Sequence, residues 1–558
     1  MLRSLRRAAV CSVGLPFVLA AQQAAPGPLK HDPRPTSADI TVADLMTRLY
    51  IFADDSMMGR ASGTPNHDRG TDYIAGELRK LGLKPAGDNG TFFQTVPLVR
   101  RSVNADQSML MTDGKHLAFG TDFIFQAVTN GKPFSDAPVV FGGTFGDSAG
   151  MISADRTEGA FVIFAPPRAP MPGGARAQLA MLGRYEKAVA LAVALGAPAI
   201  SPQQANALRQ PRMTMPTPAA GLNAASALVT LTPAAATMLL GVAPADATMG
   251  ATGRTVSGAL IIRDDPAPSR NVVAILEGRD AKLKGQYIVV GGHSDHTGLA
   301  NAAVDHDSLK AVNYALNLWD MANGKRASGS VRDSIIKAAN TTIKSGGRRD
   351  SIRNGADDDG SGSMAVLEIA EKFAKTRPRP RRSMLFLWYT GEEIGLLGSR
   401  YYTDNPTVVR DSVVGAVNID MIGRGKADDM KLGGDNFLQL VGSRRLSTEM
   451  GDLVESLNKT RKAPFVFDYT FDADGHPENV YCRSDHYNWA RYAVPVTFFT
   501  TGLHGDYHQV TDEPQYIDYP HYAEITNFIH DFARTLADRD NAVVVDKPKP
   551  DPKGACRQ

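Results

Sequence analysis

Side chains of the types that bind metal ions follow four apolar runs in this sequence. They are His293 and Asp295 after "QYIVVGG", Glu392 and Glu393 after "RSMLFLWYTG", Asp420 after "SVVGAVNI", and His508 after "VPVTFFTTGLHGDY". Imidazole and carboxylate groups are common ligands of metal ions. The pattern therefore indicates a site for a cation at the ends of these runs.

A fifth group lies between the first two runs, in the stretch "NGADDDGSG" with Asp357, Asp358 and Asp359. Each group alone has an ordinary explanation: a hydrogen-bonded core histidine, a solvated turn for "GEE", or a surface turn or helix cap for "DDDG". Five groups, each beside a buried strand or a glycine turn, are hard to explain as solvated loops. So many acids and imidazoles together would be costly to bury without cations.

The elements that must position these side chains are predicted to be strands of a mixed, largely parallel sheet flanked by helices. The runs "NVVAIL", "QYIVVGG", "RSMLFLWY", "SVVGAVNI" and "AVPVTFFTT" are nearly continuous in apolar residues, which suits strands covered on both faces. Helical segments such as residues 361–375 alternate with them and favour βαβ units. Because ligands bind outside the carboxyl ends of the strands in such α/β sheets, the five groups should converge at one edge.

The rest of the chain divides into segments that differ in apolar spacing and composition. Residues 38–100 would be the amino-terminal part of the same domain, which continues over 259–540, and the apolar spacing is helical from Thr41 to Leu83. Residues 101–258 have few acids and histidines, and we interpret them as a separate α+β module with two strand-like runs and a helical stretch over 185–200. The segment 541–558 is rich in Pro and Lys, which predicts a disordered tail.

The composition is that of an ordinary globular protein, with 43% hydrophobic and 22% charged residues among 558. The formal charge of +2 includes Arg3, Arg6 and Arg7, so the chain without them is nearly neutral. We therefore expect no nucleic-acid partner and no stable association with a membrane.

The three arginines precede a short apolar run, and residues 1–21 resemble a secretory signal peptide. The run is too short to span a bilayer comfortably, so a transmembrane anchor is the weaker alternative. We expect export to a periplasm or to the outside. Cys482 and Cys556 could pair in an oxidising compartment, but two cysteines do not make a disulfide framework, and the sequence alone does not decide.

At this point the chain resembles a known family. The stretches "GGHSDHTG", "NGADDDGSGSMAVLEIA", "RRSMLFLWYTGEEIGLLGSRYY", "AVNIDMIGR", "RSDHYNW" and "YHQVTDEP" look like those of the di-zinc aminopeptidases, which include bacterial leucyl aminopeptidase and aminopeptidase Y. Glutamate carboxypeptidase and the transferrin receptor share that fold. The motifs appear in family order over roughly 270 to 535, and residues 101–258 resemble the protease-associated domain inserted in many members.

The resemblance implies a ligand set for two zinc ions. Asp358 would bridge the ions. His293 and Asp420 would complete one site, and Glu393 and His508 the other. Asp295 would accept the second ring N–H of His293 and fix its tautomer.

The resemblance also implies catalytic roles and one backbone feature. Glu392 would be the general base that takes a proton from a metal-activated water and passes it to the leaving amine. Tyr507 would hydrogen-bond the developing oxyanion, with a packing role as the equal alternative. The Asp358–Asp359 peptide would be cis.

Four residues in matching motifs receive lesser roles. His296 and His486 are interpreted as structural or as supports for the ligands, and Asp485 as a hydrogen-bond acceptor behind them. Arg483 is a candidate for the wall of the substrate pocket, with a surface position nearly as plausible.

We therefore expect an exported di-zinc aminopeptidase acting on peptide substrates. The alternatives are a carboxypeptidase or a glutaminyl-cyclase-like enzyme on the same fold, or a non-catalytic binding protein like the transferrin receptor. Arg483 is one basic candidate near the metals, which favours an amine end over a carboxylate end, with Arg348 and Arg349 as a reservation.

One departure from the family is the 64 residues between His293 and Asp358. The family's usual connection is shorter. The inserted segment 300–350 predicts two short helices near the mouth of the active site.

Overall fold

The computed structural model describes residues 26–127, 133–147, 150–167, 183–197, 199–216, 227–341, 347–430 and 433–558. The expected signal peptide, residues 1–21, lies outside these residues. Within the described ranges, no helix is long and apolar enough to cross a membrane.

The helices and strands of the described residues are numbered here in chain order. The α-helices are α1 (Val42–Phe52), α2 (Pro65–Lys80), α3 (Pro202–Arg209), α4 (Pro233–Leu240), α5 (His306–Asn323), α6 (Gly329–Thr341), α7 (Gly362–Lys375), α8 (Leu397–Asp404), α9 (Thr448–Lys459), α10 (His486–Ala490) and α11 (Tyr519–Asp538). The strands are β1 (Lys84–Pro85), β2 (Phe93–Val96), β3 (Val99–Val103), β4 (Met109–Thr112), β5 (Lys115–Leu117), β6 (Phe123–Ala127), β7 (Phe134–Thr144), β8 (Phe161–Ala165), β9 (Ala190–Ala194), β10 (Arg212–Thr214), β11 (Ala227–Leu231), β12 (Thr252–Ala259), β13 (Ile262–Pro266), β14 (Ser269–Leu276), β15 (Tyr287–His293), β16 (Leu299–Asp305), β17 (Arg349–Ile352), β18 (Ser383–Tyr389), β19 (Val413–Ile419), β20 (Phe437–Val441), β21 (Val466–Asp468) and β22 (Val496–Thr500).

The largest sheet confirms the predicted mixed α/β architecture. Its strand order is β1-β14-β18-β15-β19-β22-β20-β21, and β2 also pairs with β14. The central strands β18, β15, β19 and β22 are parallel, whereas β14 and β20 run antiparallel to their neighbours β18 and β22. The register sets His293 opposite Tyr389 and Ile419 opposite Phe499, so the carboxyl ends of four strands meet at one edge.

Helices cover both faces of this sheet because its strands are apolar on both sides. All seven residues of β18 are buried. The indole of Trp388 donates a hydrogen bond of 2.9 Å to the carbonyl of Ser363 and so joins β18 to α7. Each large apolar side chain buried here contributes about 1.5–3 kcal/mol to folding. We call this unit, with α1, α2, β1 and β2, the main domain.

A second sheet lies between β2 and β14 in sequence and has a hydrophobic core of its own. Its order is β5-β4-β12-β7-β8-β9-β11-β6, and a small sheet of β10, β3 and β13 accompanies it. We call residues 97–268 the inserted module. That the module is a protease-associated domain stays a prediction.

The predicted helix over residues 185–200 is wrong. Residues Ala190–Ala194 form β9, which pairs in parallel with β8 and β11. The alanine-rich run favours a helix by intrinsic propensity, but its residues are buried between two neighbouring strands, and such tertiary packing overrides propensity.

The inserted segment 300–350 has two helices, as predicted, but they are not short. Helix α5 has 18 residues and α6 has 13. The strands β16 and β17, which flank the two helices in the chain, pair antiparallel with each other. Asp305 caps α5, because its carboxylate accepts a hydrogen bond of 3.0 Å from the amide of Ser308.

Residues 541–558 contain no helix or strand, yet they contact the main domain, which differs from the predicted disordered tail. Cys556 forms a disulfide with Cys482, so the pairing that the sequence left open is present. The side chain of Gln558 accepts a hydrogen bond of 2.9 Å from the amide of Tyr481 and donates one of 2.9 Å to the carbonyl of Phe471. The composition could not show these contacts, because their partners lie 74 to 87 residues earlier in the chain.

Candidate metal centre

The five predicted ligands meet at the carboxyl edge of the large sheet. His293 ends β15 and Asp420 directly follows β19. Glu393 lies on the turn after β18, Asp358 in the wide turn before α7, and His508 in the loop after β22. Parallel strands place their carboxyl ends together, so residues up to 215 positions apart become neighbours.

Asp358 lies between two separate groups of ligands. Its Oδ1 atom is 3.2 Å from Nε2 of His293, which in turn is 3.6 Å from Oδ1 of Asp420. Its Oδ2 atom is 3.1 Å from Nε2 of His508, which is 2.8 Å from Oε2 of Glu393. The single carboxylate of Asp358 therefore faces one histidine and one further carboxylate on each side.

The polar atoms at this centre fit metal ligands. Among the described residues, the following buried atoms have no hydrogen-bond partner: His293 Nε2, Asp358 Oδ2, Glu393 Oε1, Asp420 Oδ1 and His508 Nε2. Buried polar atoms are almost always satisfied, so the convergence of these atoms fits a site that holds a cation. Imidazole and carboxylate are suitable donors for zinc.

The negative charges of the centre also favour binding of a cation. Burial lowers the pKa of His508, but the nearby carboxylates of Asp358 and Glu393 outweigh burial and raise this pKa to about 10. The carboxylates around His508 thus attract positive charge strongly.

Neighbouring carboxylates fix the backbone that carries Asp358. Asp512 accepts hydrogen bonds from the amides of Asp357 and Asp358, at 3.0 and 3.1 Å. Asp359 accepts from the amides of His293, at 3.0 Å, and of Met421, at 3.3 Å, and so joins the ends of β15 and β19. Because Asp359 accepts hydrogen bonds from the backbone at the ends of both strands, it holds these strand ends together. The Asp358–Asp359 peptide is cis, as expected.

Asp420 is held by a pair of polar side chains that the sequence did not single out. The hydroxyl of Ser484 donates a hydrogen bond of 2.8 Å to Oδ2 of Asp420, and Asn418 donates one of 2.8 Å to that hydroxyl. This leaves Oδ1 of Asp420 facing His293. Ser484 belongs to the motif "RSDHYNW", but its role depends on the fold bringing it beside β19.

Glu392 and Glu393 point in different directions, as predicted. Glu392 is half-buried and lines a cleft with Asp358 and Asp420. Burial raises the pKa of Glu392 well above its usual value, and the charges of Asp420 and Glu393 raise it further. A carboxylate with a raised pKa is a stronger base, which suits a group that accepts a proton.

The predicted role of Asp295 needs a correction. Nδ1 of His293 is 3.0 Å from the backbone carbonyl oxygen of Asp295 and 3.7 Å from its carboxylate. The carbonyl is therefore the nearer acceptor for the second ring N–H of His293. The Asp295 carboxylate accepts a hydrogen bond of 3.2 Å from the amide of Glu392, and burial raises its pKa to about 6.

His296 lies closer to the centre than its predicted supporting role required. Its Nδ1 atom is 2.6 Å from Oε1 of Glu393 and 3.7 Å from Oδ2 of Asp358, and its side chain is fully buried. The histidine could hold Glu393 in place or supply a further ligand. Its position three residues after His293 was the only signal in the sequence.

The supporting roles predicted for His486 and Asp485 stay predictions. His486 stacks on Phe498 with ring centroids 4.8 Å apart, and burial lowers its pKa to about 3, so it is a neutral core residue. Asp485 is fully buried, and burial raises its pKa to about 7.

A cleft of about 440 Å³, including its open mouth, adjoins the centre. Its polar wall contains Glu392, Arg483 and Tyr507. The guanidinium of Arg483 donates a hydrogen bond of 3.4 Å to the hydroxyl of Tyr507, whose ring stacks on His508 at 3.8 Å between centroids. The apolar part of its lining is formed by Met421, Phe471, Val480, Phe498 and Leu503.

Comparison with known proteins matches residues 271–533 to the model of peptidase family M28. The chain is 40% identical over 87 residues to leupeptin-inactivating enzyme 1 of Streptomyces exfoliatus, which covers 15% of this chain and 20% of that protein. It is 26% identical over 241 residues to probable leucine aminopeptidase 2 of Aspergillus fumigatus, covering 42% and 44% of the two proteins. The chain thus spans less than half the length of either relative.

Among solved structures, the aminopeptidase from Aneurinibacillus sp. strain AM-1 is similar to this chain with a TM-score of 0.47 and 15% identity. The match covers 92% of this chain and 97% of that one.

Proposed function

Because residues 271–533 belong to peptidase family M28, we propose that this chain is an exported di-zinc aminopeptidase that removes the amino-terminal residue from peptides. The observation that carries the proposal is the position of Asp358. Its two oxygens face His293 and His508 at 3.2 and 3.1 Å, and each histidine has a carboxylate of its own. One bridging carboxylate between two matched ligand pairs suits two cations better than one.

Bound zinc supplies Lewis acidity, which polarises a carbonyl group and lowers the pKa of water. Glu392 is the residue placed to move the proton. It takes a proton from the attacking water as the water oxygen bonds to the peptide carbonyl carbon. It then gives this proton to the nitrogen of the leaving amine as the carbon–nitrogen bond breaks.

Tyr507 and Arg483 act on the substrate's carbonyl oxygen. The two side chains lie on the cleft wall and are joined by their hydrogen bond of 3.4 Å. The Tyr507 hydroxyl can donate to the oxygen as it gains negative charge, while Arg483 orients this hydroxyl and adds positive charge nearby.

The direction of cleavage follows from the charges around the cleft. A free α-amine is attracted by the carboxylates of Asp358, Glu392 and Asp420. A substrate carboxylate would need a basic cluster, and Arg483 is the single basic residue of the cleft lining in the described chain.

The other two arginines considered for a carboxylate-binding site, Arg348 and Arg349, have partners of their own. Arg348 pairs with Glu513, and Arg349 donates to the carbonyl of Ala303. A carboxypeptidase activity is therefore the weaker alternative. A glutaminyl-cyclase-like enzyme would use one zinc, and a non-catalytic binding protein would not need Glu392.

The apolar wall of the cleft supports a preference for an apolar first residue. Phe471, Phe498 and Leu503 can enclose an aliphatic or aromatic side chain next to the reacting carbonyl. Each buried methylene group would contribute about 0.8 kcal/mol of binding.

The test compares substrates that differ in one group. Leucine p-nitroanilide should be cleaved by the zinc-loaded protein, and its N-acetyl counterpart should be cleaved very slowly. Elemental analysis of protein purified without chelators should find two zinc ions per chain. Equal rates on the two substrates would contradict the aminopeptidase assignment, whereas one zinc or none after zinc loading would contradict the di-zinc centre.

A further inference from the structure

Helix α5 of the inserted segment lies against the loops that surround the metal centre. Asn313 donates a hydrogen bond of 3.1 Å to Thr511. One helical turn further on, Asn317 donates to the backbone carbonyls of Asp428 and Asp429, at 3.2 and 2.9 Å. The helix thus joins two loops that are distant in sequence.

The strongest of these contacts is an ion pair between Lys310 and Asp506. Within the described chain, Lys310 is the only buried lysine, with 6% of its surface exposed. Its ammonium group contacts the Asp506 carboxylate and lies 4.0 Å from the ring centre of Tyr516. Removing a charge from water costs several kcal/mol, and pairing with an opposite charge offsets this cost. The burial of Lys310 therefore depends on its ion pair with Asp506.

Asp506 transmits this contact to the loop of His508. Its Oδ1 atom accepts a hydrogen bond of 2.7 Å from Thr511, and its Oδ2 atom one of 3.2 Å from Arg424. Tyr507 and His508 follow it directly in sequence. Asp506 therefore fixes both ends of the short segment that carries these two residues.

Two features show that this segment needs support from outside. His508 has a φ of 60°, a left-handed conformation that costs energy in a residue with a β-carbon. Gly505 lies so close to α5 that a β-carbon there would be 2.9 Å from the carbonyl oxygen of Asn313. The helix is thus in direct contact with the backbone of the loop.

We propose that Lys310 is a positioning residue, which holds the Tyr507–His508 segment in place through the buried carboxylate of Asp506. The helix α5 then has a function in the reaction: it fixes one histidine ligand and the tyrosine of the cleft wall. The claim that Lys310 supports a zinc ligand rests on the proposed di-zinc function. The claim that Lys310 holds the loop in place does not depend on bound metal.

The first measurement is amide hydrogen exchange in metal-free protein. In Lys310→Met, which keeps the chain length and removes the charge, amides of residues 504–511 should exchange at least about tenfold faster than in the wild type. Lys337→Met is the matched control, because Lys337 is an exposed residue on α6 of the same inserted segment. Its exchange in residues 504–511 should equal that of the wild type.

The second measurement is zinc dissociation into a chelator. The variant Lys310→Met should release one zinc about tenfold faster or more, as expected for loss of a ligand's support, and release the other at the wild-type rate. The zinc affected should be the one weakened in His508→Ala. A general loss of stability would instead weaken both sites and lower the melting temperature in proportion.

A milder variant covers the case in which Lys310→Met does not fold. Asn313→Ala removes only the contacts of the amide with Thr511 and Asp506, and should give a smaller change in the same direction. Unchanged exchange of residues 504–511 in a folded variant would overturn the proposal about Lys310. A wild-type protein that binds fewer than two zinc ions would overturn the di-zinc function instead, and the exchange data would still decide the role of Lys310.

Discussion

At the scale of single residues, two adjacent glutamates face different parts of the proposed metal centre. Glu393 contacts His508 and His296, whereas Glu392 faces the cleft beside Asp358 and Asp420. Burial raises the pKa of Glu392, and the negative charges of Asp420 and Glu393 raise it further. The proposed role of each glutamate can be tested separately.

We expect Glu392→Gln to lower kcat at least about a hundredfold, because the amide cannot accept the proton of the attacking water. Zinc content should remain at the wild-type value, since Glu392 is not among the five ligands. Peptidase assays and elemental analysis of the same preparation provide the measurement. Loss of one zinc in this variant would show that the roles of Glu392 and Glu393 are reversed.

We expect Ser484→Ala to weaken binding of the zinc beside His293 about tenfold, because Asp420 loses the hydroxyl that orients it. Chelator competition measures this affinity. Ser443→Ala is the control, since Ser443 is a buried serine whose hydroxyl has no hydrogen-bond partner in the described chain. Equal affinities in the two variants would refute the role of Ser484.

The candidate ligands could be predicted from the sequence and its family resemblance, whereas the residues that hold them could not. His293, Asp358, Glu393, Asp420 and His508 lie beside apolar runs whose strand ends must meet, and the structure brings them together. Ser484 and Asp512 act through hydrogen bonds to residues 64 and more positions away. Such partners are set by the tertiary fold, so no local pattern could indicate them.

At the scale of elements, the strands of the large sheet were easier to recognise from the sequence than the alanine-rich strand β9. The five runs of the large sheet are rich in Val, Ile and Phe, which favour strands. Ala190–Ala194 lacks that signature and is a strand because β8 and β11 pair with it on both sides.

An ion-pair cluster between α1 and α7 gives a prediction about pH. Arg48 contacts Glu368 and Glu371, and its guanidinium is 3.2 Å from Glu77, so three carboxylates surround one cation. Burial raises the pKa of Glu368 to about 7, and the charge of Glu371 also raises it, although Arg48 lowers it.

The folded-state pKa of Glu368 lies above the unfolded value of about 4.5, so the folded protein binds this proton more tightly. Its contribution to stability is present below pH 4.5 and is lost as the pH rises through 7. At about 1.4 kcal/mol per pKa unit, the loss is on the order of 3 kcal/mol.

We therefore expect Glu368→Gln to gain stability relative to the wild type as the pH rises from 5 to 8. Melting temperatures of both proteins across this range provide the measurement. Glu186→Gln, at an exposed position of the inserted module, is the control and should follow the wild type at every pH. A constant difference between Glu368→Gln and the wild type would contradict the proposed titration.

At the scale of the whole molecule, the chain passes from the main domain into the inserted module and back at one place. Val96 and Ser269 are paired neighbours in the antiparallel strands β2 and β14. The chain therefore leaves the main domain and returns to it at adjacent positions. The hydrophobic core of the module is separate from that of the main domain.

We expect replacement of residues 97–268 by an Asn-Gly turn to leave the main domain folded, because this turn suits two paired antiparallel strands. The shortened protein should bind two zinc ions and keep its activity on leucine p-nitroanilide. Elemental analysis, circular dichroism and the peptidase assay provide the measurements. An insoluble or zinc-free product would show that the main domain depends on the module.

The adjacency of Val96 and Ser269 also bears on the order in which the chain folds. Pairing β2 with β14 in an otherwise unfolded chain closes a loop of roughly 170 residues, for which the length-dependent entropy term is about 4–5 kcal/mol. Once the module has folded, its two ends already lie side by side, and the same pairing becomes a local contact. We expect the module to fold first and to nucleate this edge of the large sheet. In pulse-labelling of refolding protein, amides of β7 and β8 should then gain protection before those of β14, and the reverse order would exclude this sequence of events.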